Sequence, residues 1–337
     1  MSAFLPAFCP RAACPSRTGA SPFAFQRDGS FPRLGDGRRV ARFRCKACRR
    51  RFSAQSFRLD YRLHRPQLNV PILSFLVSKV TLRQTARILK VDRKTVHHRL
   101  RLFGHALHEL HESFLERAVQ NGGLFGSFSL DELETFEHNR RLKPLTMPVL
   151  IHRPTRFVVH LEVGRLPARG GLKGRDRERK LAQGPRLNES PAVVRRCFET
   201  LKRVHDPAEL LQLVTDQKRT YKPEVKRLFG NRIAAFVTES SKRARNPANP
   251  LFAINHTLAT LRDHASRLVR RTWACTKRAR ELARHAWIVA MWKNYARPAS
   301  NRIRRASAGM MLGLTDRIWS LADLLRWRWP RLSLAAA

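Results

Sequence analysis

Two close cysteine pairs near the start of the chain constrain its folding more than any other feature. Cys9 and Cys14 are spaced C-x4-C, and Cys45 and Cys48 are spaced C-x2-C inside "RFRCKACRRRFS". A segment of ~50 residues buries too little surface to fold unaided. Two short turns that each present two sulfurs solve this by sharing one metal ion, and four thiolates in a reducing compartment select zinc. The expected product is a zinc ribbon over residues 1–60 with Cys9, Cys14, Cys45 and Cys48 as ligands. Binding the ion then contributes directly to folding. The Gly-, Pro- and Arg-rich stretch between the pairs suits the ribbon's hairpin and loop. Cys197 and Cys275 stand alone and read as packing residues.

Charge says what such a ribbon meets. The 337-residue chain suits two or three domains. Its apolar share of 43% supports real cores and excludes a disordered tail protein. Lys and Arg number 67 against 25 acids, a formal net charge of +42. Such a chain repels itself unless a polyanion neutralises it. Neutralised phosphates release counterions, so DNA or RNA is the indicated partner, and no membrane. No apolar run nears the ~20 residues of a transmembrane helix. The opening "MSAFLPAFCPRAACPS" lacks the basic-then-apolar order of a secretory signal. The expected location is cytoplasmic and nucleoid-associated.

From Pro71 the period becomes helical, which places a helix-turn-helix bundle over 61–120. Leu73, Leu76, Val77 and Val80 share one apolar face. Thr81 is placed to cap a short helix, and Asp92 to cap a second that begins Arg93-Lys94-Thr95. Val96, Leu100 and Phe103 then face the core, and Arg93, Lys94, Thr95, His98 and Arg99 face out. In a helix-turn-helix the early residues of the second helix reach the major groove, which makes these five the expected DNA contacts.

The third region, 121–296, changes period again. Leu124–Phe136, Thr146–Arg153 and Arg156–Arg165 read as strands, the last two as a hairpin. A basic, Gly-rich stretch, "LPARGGLKGRDRERKLAQGPRLNE", reads as a flexible loop. Helix, strand (Leu210–Asp216), helix, strand (Arg232–Thr238) and further helices follow. This order is the plan of an α/β ribonuclease H-like mixed sheet, in which the first and fourth strands lie side by side. Asp131 on the first and Asp216 ending the fourth are then placed to share divalent ions for phosphoryl transfer, with oxygen donors suited to Mg²⁺. Alternation turns Glu132 and Glu134 away from Asp131's face. Glu239 reads as a loop acid after the last strand, and the Trp287, Met291 and Trp292 cluster reads as core. A basic, amphipathic tail covers 297–337. The fold class is therefore multidomain: zinc ribbon, helix-turn-helix, and mixed-sheet catalytic domain with a helical C-terminal extension.

Five stretches, "FCPRAACPSR", "RFRCKACRRRFS", "DELETFEH", "VTDQKRTY" and "LFAINHTLATLRDHASRLVRRTW", together resemble the DDE-class transposases of bacterial insertion sequences. The insertion-sequence-one type is the nearest look, and "MLGLTDRIWSLADLL" is similar to the tails of such enzymes. The resemblance implies binding of terminal inverted repeats in double-stranded DNA, then strand cleavage and transfer dependent on Mg or Mn, in a homo-oligomer. It makes Asp131 and Asp216 the first two acids of the triad. The third acid belongs early in the next helix, where this chain reads Asn255-His256-Thr257. Asn255 or His256 is the expected substitute ligand. The resemblance also places Arg262, Arg267, Arg270 and Arg271, which recur at helical spacing, beside the active site as a clamp on the scissile strand. Two competing readings are a DNA-binding protein that cuts nothing, either a decayed transposase or a regulator, and an RNA-binding ribbon protein.

Overall fold

The structure is a computed structural model and describes residues 4–11, 13–34, 37–244, 246–269 and 273–326. It divides into two compact units, one running up to Asn69 and the other from Val70 to Leu324. Arg270 and Arg271 lie outside the described residues.

The first unit is a three-stranded antiparallel sheet, β1 (Phe25–Pro32), β2 (Arg39–Cys45) and β3 (Arg51–Ser53), in that spatial order. Its core is small and aromatic. Phe8, Phe43, Phe52 and Phe57 are buried with Cys9, Cys14 and Cys45. Phe25 meets Phe43 edge-on at 5.5 Å, and Phe8 meets Phe57 likewise at 5.1 Å. Large rings are the economical way to fill a core of so few residues.

The second unit opens with three helices, α1 (Asn69–Val77), α2 (Leu82–Ile88) and α3 (Arg93–Gln120). Thr81 starts α2 with a capping box: its hydroxyl accepts from the Gln84 N–H, and the Gln84 side chain accepts from the Thr81 N–H. Lys90 takes a left-handed turn at φ 50°, and Asp92 starts α3 by accepting from the Lys94 N–H at 2.5 Å. Val96, Leu100 and Phe103 are wholly buried. Arg99 departs from the outward expectation and is only 4% exposed. Position 99 lies three residues after 96 and four before 103, so the helical period puts it on the core stripe. Beyond Phe103, α3 continues as one long helix whose Leu107, Leu110, Phe114 and Leu115 are also buried.

A mixed sheet follows, built from β4 (Ser127–Phe136), β5 (Pro144–His152), β6 (Phe157–Leu161), β7 (Gly164–Arg165), β8 (Leu211–Asp216) and β9 (Ile233–Glu239). The spatial order is β6-β5-β4-β8-β9, with β7 also on β5. β4, β5 and β6 are antiparallel neighbours, whereas β4, β8 and β9 run parallel. Parallel neighbours need crossovers. The β6-to-β8 and β8-to-β9 connections are made through α4 (Gly174–Gln183) with α5 (Ser190–Val204), and through α6 (Tyr221–Phe229). All nine residues of β5 are buried, so both its faces are covered, and α5 and α7 (Phe252–His264) both pack on it. α8 (Ala279–Tyr295) runs along α3, with Gly104 at the closest approach: a Cβ there would lie 2.5 Å from the Arg284 Cβ. Trp287 and Met291 are buried in this layer, Trp287 stacking on His108 at 4.2 Å. Two short helices, α9 (Ala308–Met311) and α10 (Leu321–Arg326), follow.

Three expectations change. The basic loop after β7 contains α4, exposed apart from half-buried Asp176, because Arg175 to Gln183 is a run of helix formers with acids interspersed. Glu239 is the last residue of β9, not a loop acid. The helix carrying Arg262 ends at His264: Ala265 is extended at φ −104° and Ser266–Leu268 form a tight turn. Arg262 and Arg267 therefore do not share a helix face. Among the described residues no helix is long and apolar enough to cross a membrane.

Candidate functional site

The cysteines come together. The Sγ atoms of Cys9, Cys14, Cys45 and Cys48 all lie within 4.8 Å of one another. Cys9 to Cys48 and Cys14 to Cys45 are each 3.7 Å apart, too long for disulfides. A zinc tetrahedron with bonds of ~2.3 Å has edges of about 3.8 Å, so the cage fits that ion. The β2–β3 turn brings Cys45 and Cys48, and the coil before β1 brings Cys9 and Cys14. Crowding also splits the thiols. Burial drives Cys9 well above the usual thiol range, aided by hydrogen bonds to Cys48 and Cys14. Burial works to raise Cys14 too, but hydrogen bonds from Ser16, Cys48 and Cys45 bring it down to about 6. Four sulfurs this close hold negative charge readily only with a cation among them.

Arginines surround this unit, and the backbone N–H of one of them, Arg11, hydrogen-bonds the Cys9 sulfur. A hollow of about 550 Å³ on the sheet is edged by Arg27, Arg39, Arg42 and Arg58. Arg51 pairs with Asp28 at 2.6 Å, and Arg58 with Asp60 at 2.6 Å.

In the second unit, the parallel ladder of β4 and β8 pairs Leu130 with Thr215. Asp131 and Asp216 are the next residues on those strands, and neighbouring strands lie ~4.8 Å apart. On the far side, Asp216 pairs in register with Glu239 of β9. Asp216 and Glu239 thus end two adjacent parallel strands, and Asp131 lies in the middle of the third, one residue past the last pairing of β4 with β8. Asp131 accepts from the Glu132 N–H at 2.7 Å, and Asp216 from the Lys218 N–H at 3.2 Å. Burial, with the Glu132 charge adding to it, holds Asp216 above the usual carboxylate range despite the Lys218 contacts. Glu239 is bound instead to Arg243 at 2.5 Å. The four cysteines form the one cluster of three or more metal-ligating side chains found among the described residues.

Asn255 and His256 part company. Positions 255, 258, 259 and 262 recur on one side of α7 and line a cavity of about 470 Å³ together with Asp131. Asn255 therefore joins Asp131. His256 lies ~100° further round the helix and lines another cavity. Arg262 borders the Asp131 cavity and reaches the Glu134 carbonyl at 3.4 Å. Asp263, on the same rim, is ion-paired with Lys79 at 3.0 Å. Arg267 is only 9% exposed, so its guanidinium is not offered to a ligand as the sequence suggested. Of the α3 residues, Arg93, Lys94 and His98 are exposed, Thr95 is half-buried and Arg99 is buried.

Glu132 is the residue that sequence reasoning passed over. It does turn toward α5 and α6, and there it gathers four donors. The Thr146 hydroxyl donates at 2.5 Å, Ser190 at 3.1 Å, Tyr221 at 2.8 Å, and the Lys218 ammonium closes the set. This ties β4 to β5, α5 and α6, and fixes the loop that carries Asp216. Nothing local in "DELETF" signals the role, because all four partners come from elsewhere in the chain. No family model matches this sequence, and a search of curated proteins finds no similar one; what the site does is read from its own chemistry.

Proposed function

We propose that the chain is a DNA transposase of the insertion-sequence kind, with a zinc ribbon and helix-turn-helix that bind the element ends and a ribonuclease H-like domain that cuts and joins strands. The observation that supports this reading is the parallel pairing of β4 with β8, in which Leu130 lies opposite Thr215 and Asp131 and Asp216 are the next residue on each strand. The strand order β6-β5-β4-β8-β9, with β5 antiparallel to both neighbours, agrees with a ribonuclease H-like plan. Asn255 in the Asp131 cavity supplies an amide oxygen where a third carboxylate is absent. Carboxylate and amide oxygens are the donors that Mg²⁺ or Mn²⁺ takes. When bound, such ions activate an attacking oxygen and stabilise the leaving one. Asp131, Asp216 and Asn255 would hold them. Arg262 sets a positive charge on the rim of the same cavity, where a scissile phosphate is to be oriented. Glu132 is a positioning residue that holds the Asp216 loop through Lys218 and Tyr221. The +42 charge and the arginines around the ribbon sheet support DNA as partner. Holding two ends calls for at least a dimer.

The test is Mg²⁺- or Mn²⁺-dependent cleavage of a duplex taken from the DNA flanking the gene. Asp131→Ala and Asp216→Ala should each lower the rate at least ~100-fold, as expected for loss of a metal ligand. Asn255→Ala should lower it less, and Asn255→Asp should reduce the metal concentration required. Equal cutting by parent and variants removes the assignment. A second reading is favoured by one observation: the third place carries an amide, while nearby Asp263 is occupied by Lys79. On that reading the protein binds the ends and cuts nothing, and repeat-specific binding without any cleavage is its signature.

A further inference from the structure

The cavity that receives His256 has a different chemistry from the one that receives Asn255. It encloses about 410 Å³ between α7, the end of α8 and the loop that follows α8. Arg156, Lys293, Arg297 and Arg302 line it, and no Asp or Glu does. None of the four forms an ion pair among the described residues. Lys293 is the most telling of them. Its side chain is 7% exposed, and its ammonium donates to the Arg156 carbonyl. A buried ammonium ordinarily faces a carboxylate, because desolvation without a counter-charge is expensive. Burial, then the Arg297 and Arg156 charges, bring Lys293 down to about 7. The same three neighbours, Arg156, Lys293 and Arg297, act with burial to hold His256 below its ordinary value. Two of the guanidiniums rest on rings in place of acids. Arg156 lies 5.5 Å from the Phe252 ring centroid, and Arg297 lies 5.3 Å from that of Trp292. Such stacking keeps a cation in place; Arg297 also meets the His264 ring nitrogen through one Nη at 3.4 Å, and its guanidinium has further N–H donors for an anion.

We propose that this cavity binds a backbone phosphate of a DNA strand, at a place separate from the Asp131–Asp216 row. Planar guanidiniums and an ammonium converging without acids match the several oxygens of a phosphate group. The loop after α8 closes the cavity. Pro298 bridges to Ser307, and Ala299 donates to the Ala306 carbonyl at 2.8 Å, which carries Arg302 to the rim. Charge relief explains the occupant: a phosphate supplies the counter-charge that Lys293 lacks and favours its charged form. The proposal rests on DNA being the partner, but not on cleavage.

The experiment uses the full chain in an Asp131→Ala background and a fluorescent twelve-nucleotide oligothymidylate, titrated by anisotropy across a salt series. Arg297→Gln with Arg302→Gln should weaken binding about tenfold. It should also flatten the slope of log K against log salt by ~0.7, the contribution of one neutralised phosphate on a single strand. Arg304→Gln with Arg305→Gln removes the same charge from the exposed part of the loop outside the cavity, and should change affinity less than twofold. Unchanged affinity and slope in the cavity pair, with an unchanged melting curve, overturns the proposal. So does an equal loss in both pairs, which reduces the effect to net charge. Inorganic phosphate that is bound by the parent and lost in the cavity pair, with strand affinity untouched, assigns the cavity to a free anion and also overturns it. Lys293→Met should reproduce the loss, and if it fails to fold the arginine pair decides. A parent that never cuts DNA but loses strand affinity in the cavity pair supports the cavity while removing the enzyme.

Discussion

The ribbon and the mixed-sheet unit are held together by different physics. No residue of β1 is buried, and the ribbon's core is a handful of phenylalanines and cysteines. In the second unit β5 alone buries nine consecutive residues, and α3 adds twelve more. The first unit has four sulfurs placed to share an ion and little apolar core, while the second rests on apolar burial. The difference implies two routes to losing structure, metal loss in the first unit and loss of core packing in the second, and each can be tested alone.

The largest expected effect follows from removing the metal. Structural zinc is worth ~10–16 kcal/mol in finger peptides near neutral pH, more than a domain of this size has to spare. A chelator, or Cys45→Ser, should abolish amide protection in β2 and β3 while β4 and β5 keep theirs in hydrogen exchange. Survival of β2 and β3 in chelator would break the comparison. Acid should act in the same order, because protons compete with the metal for thiolates. In the second unit Glu112 resists acid. Burial works to raise it, but the His108 contact and the Arg203 guanidinium at 2.7 Å hold it down to about 2. A depressed carboxylate contributes stability above its unfolded value and loses it as pH falls through the folded one, here from ~4.3 toward 2.

How much of this was legible from sequence depends on how local each signal is. The cysteine spacing and the Thr81 and Asp92 caps were readable because a turn or a cap is written in adjacent residues, and the adjacency of the strands that carry Asp131 and Asp216 followed from element order. Arg99 was misread because its chemistry says surface while its phase says core, and phase wins in a helix with Val96 and Phe103 buried. The end of α7 at His264 was hidden by apolar and basic residues that continue at helical spacing through the tight turn. Glu132 and Lys293 were invisible for one shared reason. Each takes its meaning from partners more than ten positions away, and only the folded chain brings those together.

The next effect in size tests the other half of the comparison. Leu150 sits in the middle of β5 with no exposed surface, paired with Leu130 of β4. Leu150→Ala leaves a cavity that the surrounding strands cannot close, at a cost of about 2–5 kcal/mol. Urea denaturation of the second unit should shift to lower concentration by that amount. Zinc content and protection in β2 and β3 should stay as they were. A simultaneous loss of both would mean that the ribbon borrows stability from the sheet, and the two regions would have to be treated as one cooperative body.

The smallest effect is the sharpest, because it separates burial from local geometry inside the second unit. Asp92 is exposed and buries nothing, yet it satisfies one of the amides that the first turn of α3 leaves open, and its charge sits at the positive end of a 28-residue helix. Asp92→Ala should cost about 1 kcal/mol in the same urea titration, while Asp92→Asn should cost less than half of that because an amide oxygen still caps. The consequence reaches beyond stability, since Arg93 and Lys94 are exposed on the turn that this cap organises. Fraying it in Asp92→Ala should loosen DNA binding even though the lost acid alone would tighten it, and Asp92→Asn separates the two contributions: it removes the charge but keeps the cap, so its DNA affinity should match or exceed the parent's. An Ala variant that binds DNA as tightly as the Asn variant would mean that the start of α3 is not where the helix meets DNA.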